Sequence, residues 1–144
     1  MVKKYKYITD DEQEDVELEI LKWCEVDMDS DGVTELLIKL STSNILLFHS
    51  ENNIVYGYAF PYRGMKNTKT DGTFEGSGSA ADTYIGKVRF EDNNCFYDEI
   101  GAPELLDNQK SIYRLDKNNS TKSKFLLFLE EQDKKEDVLW NDLQ

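Results

Sequence analysis

Ile20-Leu21-Lys22-Trp23-Cys24-Glu25-Val26 leads into Asp27-Met28-Asp29-Ser30-Asp31-Gly32-Val33-Thr34-Glu35, and Leu36-Leu37-Ile38-Lys39-Leu40 follows. The flanking runs are short and carry strand-type residues. The middle reads D-x-D-x-D-G-x-x-E. Carboxylates at alternate positions can wrap a hard cation in oxygen ligands, and Gly32 permits a sharp turn without a Cβ clash. Asp27, Asp29, Asp31 and Glu35, with the carbonyl of Val33, are therefore the candidate ligands of one calcium ion. The segment is not a full EF-hand. Counted from Asp27, the twelfth residue is Ile38, where an EF-hand places a bidentate Glu between two helices. The expectation is an ion-holding turn between two strands. The plainer alternative is an Asp/Gly turn whose aspartates bond their own backbone. Without a cation, that turn sets three carboxylates against one another.

Strand character continues outward. Ile45-Leu46-Leu47-Phe48-His49 and Ile54-Val55-Tyr56-Gly57-Tyr58-Ala59-Phe60 flank the polar Ser50-Glu51-Asn52-Asn53, a hairpin loop. Pro61 ends the run because it cannot donate to a ladder. Asp71-Gly72 is a turn signal. Gly76 to Asp82 is small and flexible in composition. Tyr84 to Phe90 alternates as a strand, Asn93-Asn94 is a turn, and Cys95-Phe96-Tyr97 and Ser111 to Leu115 are further short strands. Before Ile20 the chain is polar and acidic. Thr9 and Glu12 match a capping box, whereas Val16, Leu18 and Ile20 alternate as in a strand; both readings stay open.

The last part changes character. Asn118-Asn119-Ser120-Thr121 offers helix N-caps, and Phe125, Leu126, Phe128 and Leu129 follow at helical spacing. A helix is predicted over 121–133, with Glu130-Glu131-Gln132 exposed and Leu139-Trp140 as a final apolar anchor. No linker or repeat divides the chain. The predicted fold is mainly β within the α+β class: an antiparallel sheet or small sandwich with a C-terminal helix, in a single domain spanning 1–144.

A chain of 144 residues can bury a core. Its formal net charge of -12 argues against general nucleic-acid binding, which places Lys and Arg on phosphates, and it suits a basic protein partner. No apolar stretch is long enough to span a bilayer. As written the chain reads as cytoplasmic; an export signal ahead of it would make it a secreted or cell-surface protein. Cys24 and Cys95 form neither a disulfide framework nor a zinc site. Buried thiols account for both, and one bridge is open to them only in an exported chain.

Several blocks together carry a resemblance. Asp27–Leu37, Tyr62-Arg63-Gly64-Met65 followed by Asp71-Gly72-Thr73-Phe74-Glu75-Gly76-Ser77, and Phe125 with downstream Trp140 resemble uncharacterised domains of Gram-positive bacterial lipoproteins and surface proteins. The likeness covers about residues 20–142. It implies a β-rich domain with a terminal helix and calcium binding, and it implies no reaction. The chain departs from those proteins in showing no lipobox.

His49 is the only histidine, and no motif assigns it acid–base work. Nucleophile elbows, P-loops, HExxH and dinucleotide fingerprints are absent, so the protein is not read as an enzyme. Arg63, with Lys66 and Lys69, makes a basic loop in an acidic chain and is the candidate partner-binding set. The alternative for Arg63 is an internal pair with Asp71 or Asp82. Two functions follow: a binding domain with one calcium loop that recognises a protein or glycan, or an acidic immunity protein that neutralises a basic toxin.

Overall fold

The computed structural model describes residues 19–77, 83–105 and 111–143. The candidate capping box at Thr9, the stretch from Gly78 to Asp82, and with it the proposed Arg63–Asp82 pair lie outside them.

The first sheet is antiparallel and five-stranded. Its strands are β1 (Ile20–Val26), β2 (Glu35–Leu40), β3 (Ile45–Glu51), β4 (Ile54–Phe60) and β10 (Asn141–Asp142), in the order β10-β1-β2-β3-β4. The second holds β5 (Phe74–Ser77), β6 (Thr83–Glu91), β7 (Asn94–Leu105), β8 (Ser111–Leu115) and β9 (Asn118–Ser120), ordered as in sequence. Each sheet is a meander, and the chain returns at its end to add β10 beside β1. One helix, α1 (Lys122–Lys134), follows β9. The mainly β fold with a C-terminal helix is therefore as expected, in the form of two packed sheets. Among the described residues no helix is long and apolar enough to cross a membrane.

Turn chemistry explains the meanders. Asn52-Asn53, Asp92-Asn93 and Asp116-Lys117 each place two successive residues at positive φ, between 49° and 66°. This is the two-residue turn whose twist matches that of paired strands. Asn and Asp tolerate the left-handed region because their short side chains bond the local backbone. The predicted turn at Asn93-Asn94 is thus one residue early, at Asp92-Asn93. The predicted short strand at Cys95 is the start of the twelve-residue β7. β7 pairs β6 up to Gly101 and β8 from Gly101 onward. Pro103 lies past the β6 ladder, on the edge-like part of the strand where a missing N–H is tolerated.

The core lies between the sheets. Cys24, Val26, Leu37, Ile45 and Leu47 from the first meet Phe74 and Val88 from the second, with Met28, Met65 and Val138 closing the sides. The rings of Phe60 and Phe74 meet edge-on at 6.1 Å, one from each sheet. α1 packs elsewhere. Phe125 sits beside Tyr113, ring centroids 5.2 Å apart. Phe128 presses on Gly101 so closely that a Cβ there would come within 2.3 Å of its ring. The helix spans one residue later than predicted at each end, and Thr121 is its N-cap, accepting from Lys124 N–H. Asn118 to Ser120 is strand β9 rather than a cap. Gln132, expected exposed, is buried, and its Nε2 donates to Thr73 Oγ1 at 2.8 Å. Of the predicted anchor, Trp140 packs on the core while Leu139 is 83 % exposed.

Phe74 is fully enclosed and joins the sheets. Phe74→Ala should lower stability by about 3–5 kcal/mol, read from urea unfolding. Phe96→Ala, at a half-exposed ring on β7, should cost less than about 1 kcal/mol. Equal losses would contradict this placement of the core.

Candidate metal centre

Val26 and Glu35 are cross-strand partners, so the β1–β2 ladder brings the two ends of the acidic loop together. Between them the backbone takes positive φ at Ser30 and Gly32. The loop is held by its own aspartates. Asp27 Oδ2 accepts from Gly32 N–H at 2.8 Å and Oδ1 from Asp31 N–H at 3.2 Å. Asp29 Oδ1 also lies 3.3 Å from Asp31 N, and Asp31 Oδ1 accepts from Val33 N–H at 2.8 Å. Each carboxylate oxygen has two lone pairs, so these bonds aim the groups without exhausting them.

Asp27, Asp29 and Glu35 offer oxygens that all lie within 4.8 Å of one another. Two oxygens on opposite sides of a calcium ion are about 5 Å apart, twice the usual bond length. The three could therefore hold one metal ion. Asp31 is not in this group: its Oδ1 accepts from Val33 N–H, while its carboxylate still lies beside that of Asp29. Val33 itself has an exposed side chain. Of the residues expected to gather round an ion, the fold brings three side chains together and leaves Asp31 at the rim.

Electrostatics separates the three. Burial raises Asp29 to about 6, and the charges of Glu35 and Asp31 add to the shift. Glu35 is also raised, first by burial, although Met28 N–H and His49 oppose the shift. Asp27 goes the other way. Its desolvation is outweighed by N–H donors from Gly32, Asp31 and Ser30 and by a bond with Asp29. The centre holds more negative charge than its surroundings neutralise, the condition a divalent cation relieves.

Glu35 is the deepest member, 1 % exposed. Oε2 accepts from Met28 N–H at 2.8 Å, and Oε1 lies 3.0 Å from His49 Nδ1. One proton lies between those two atoms, on the ring or on the carboxyl. His49 is buried and stacks on Phe90 of the second sheet, centroids 3.8 Å apart. No sequence motif gives His49 this role. Its signal was register: it shares strand parity with the buried Ile45 and Leu47. Met28, apolar between two aspartates, is likewise fully buried and anchors the loop. Cys95 feels the same environment: burial and the Glu35 charge push its thiol to about 12. Burial lifts Cys24 to about 11. Both cysteines are free and poor nucleophiles.

The segment from Pro61 to Thr73 straps one side of the sandwich. Gly72 turns at φ 86° against the loop, where a Cβ would meet the carbonyl oxygens of Met28 and Asp27 at 2.7 and 2.8 Å. The three basic candidates on this strap have different fates. Lys69 is buried and its Nζ lies 2.6 Å from Asp137 Oδ1, so it is an internal tie rather than a surface contact. Lys66 sits over the Tyr62 ring at 4.8 Å. Arg63 is exposed, and the alternative pair with Asp71 does not form: Asp71 is held by Lys135 at 2.7 Å.

Comparison with family models, curated proteins and solved structures finds no match. Function therefore has to be argued from the site.

The Asp29 shift has a pH signature. Its folded value of about 6 lies above the ordinary 3.8, so between these limits the folded state holds an extra proton. Stability from this group is present at low pH and is lost as pH rises through about 6. In cation-free buffer, the melting temperature of the wild type relative to Asp29→Asn should fall from pH 4 to pH 7. A difference independent of pH would refute the assignment.

Proposed function

We propose that this protein is a non-enzymatic binding domain whose acidic loop takes one calcium ion and whose loop over 61–82, of which the strap Pro61 to Thr73 is the first part, recognises a protein or glycan. The observation that supports the ion is the convergence of Asp27, Asp29 and Glu35 oxygens within 4.8 Å. An all-oxygen set suits calcium, whereas magnesium demands tight octahedral geometry and gives up its waters reluctantly. Asp31 at the rim and the Val33 carbonyl would complete the shell with solvent. The ion would fix the loop against the Gly72 turn and so the strap. The enclosure of His49 between Glu35 and Phe90 supports a binding role, since a buried imbedded ring is poorly placed for acid–base work on a substrate. Surface-protein domains of the kind the sequence resembles meet calcium outside the cell, which accords with this reading.

A second reading, an acidic inhibitor of a basic toxin, is favoured by the net charge of -12, which speeds encounter with a cationic partner.

Thermal unfolding with calcium and with chelator tests the first. Calcium at about 100 times its dissociation constant should add about 2.7 kcal/mol. Asp27→Asn and Asp29→Asn should each remove most of that gain. A wild type that melts identically with and without calcium would leave the loop as an Asp/Gly turn and turn attention to a basic partner.

A further inference from the structure

The core-facing side of β2 is acidic at one end and basic at the other. It presents Glu35, Leu37 and Lys39, whose β1 partners are Val26, Cys24 and Lys22. Glu35 ends this stripe at the acidic loop. Lys39 ends it at the opposite edge of the sandwich, where a cavity of about 260 Å³ opens. Buried Ile45 and Met65 form its apolar part, Tyr62 and Trp140 add aromatic rings, and Lys39 and Lys66 bring two ammonium groups. A second cavity, of about 280 Å³, adjoins it and shares Tyr62 and Lys66, with Arg63 and Glu75 on its wall.

Three cations gather round these cavities without a carboxylate among the described residues, a condition they share with Lys87, Lys117, Lys122, Lys124 and Lys134 elsewhere in the chain. Lys22, Lys69, Arg89, Arg114 and Lys135 each sit on a carboxylate. Lys39, Lys66 and Arg63 have no carboxylate partner among the described residues, although acidic residues outnumber basic ones 29 to 17. The one acid nearby, Glu75, is bonded by Asn67 Nδ2 at 2.9 Å. A lysine on the core-facing side of a strand must carry its ammonium out to something polar, and Lys39 lines the cavity.

We propose that these adjoining cavities bind an acidic oligosaccharide containing uronic acid residues. This deepens the binding-domain reading and rests on it, but does not need the calcium ion. Tyr62, 54 % exposed, carries Lys66 over one face of its ring and has the other for the C–H side of a sugar, and Trp140, packed on the core, lines the first cavity beside it. Lys39, Lys66 and Arg63 meet the carboxylates. Two linked cavities suit two consecutive sugar residues. A bare inorganic anion would leave the rings unused.

The test is calorimetric titration of the full chain with a galacturonate trisaccharide and, in parallel, with the neutral galactose trisaccharide. Each is run with calcium and with chelator, and melting curves are recorded under the same conditions. The acidic sugar should bind saturably, and the neutral one about tenfold more weakly or less. Lys39→Ala and Tyr62→Ala should each weaken the acidic sugar by about tenfold while melting stays unchanged. Binding with chelator present, in a protein whose melting ignores calcium, would sink the ion and leave this site standing. No binding of the acidic sugar by a calcium-responsive protein would overturn this site and leave the ion. Equal affinity for the neutral sugar, or indifference to both substitutions, would also overturn it.

Discussion

The carboxylate of Glu35 ties three parts of the molecule together. It stands at the first residue of β2, bonds Met28 N–H in the loop, and meets His49 on β3. His49 in turn lies flat on Phe90 of the opposite sheet. A buried carboxylate is costly unless its oxygens are bonded, and here both are. The same bonds fix where Asp27 and Asp29 can point, because the loop cannot move without breaking the Met28 contact. Loop geometry and sheet packing are therefore not independent features.

The acidic centre is also a point of tension. Asp29 and Glu35 are raised above their ordinary values by burial, and Asp27 is lowered by its N–H donors. Backbone donors make such crowding tolerable without neutralising it. Folding supplies the arrangement, and a cation would supply the opposing charge. The strap from Pro61 to Thr73 links this end to the basic one. Gly72 abuts the loop backbone, and Tyr62 and Lys66 line the far cavities.

Much of the fold was legible because it rests on local chemistry. Alternating apolar strands, Asn-rich turns and the Thr121 cap are short-range signals, and they located most elements to within a residue or two. What went astray depended on distant neighbours. Gln132 is polar and helical, and only Thr73, close by across the fold, gives its buried Nε2 a partner. Leu139 is apolar yet exposed. Lys69 has the look of a surface cation until Asp137 closes on it.

For the candidate site, the sequence by itself determined the ligand types and their spacing, since D-x-D-x-D-G-x-x-E dictates carboxylates around a tight turn. It also determined that strands would flank that turn. Only the tertiary structure decided which carboxylates converge, that Asp31 stays at the rim, and that His49 backs Glu35. The reason is that convergence depends on the β1–β2 register and on a second sheet whose Phe90 encloses the pair, and neither is encoded within the loop.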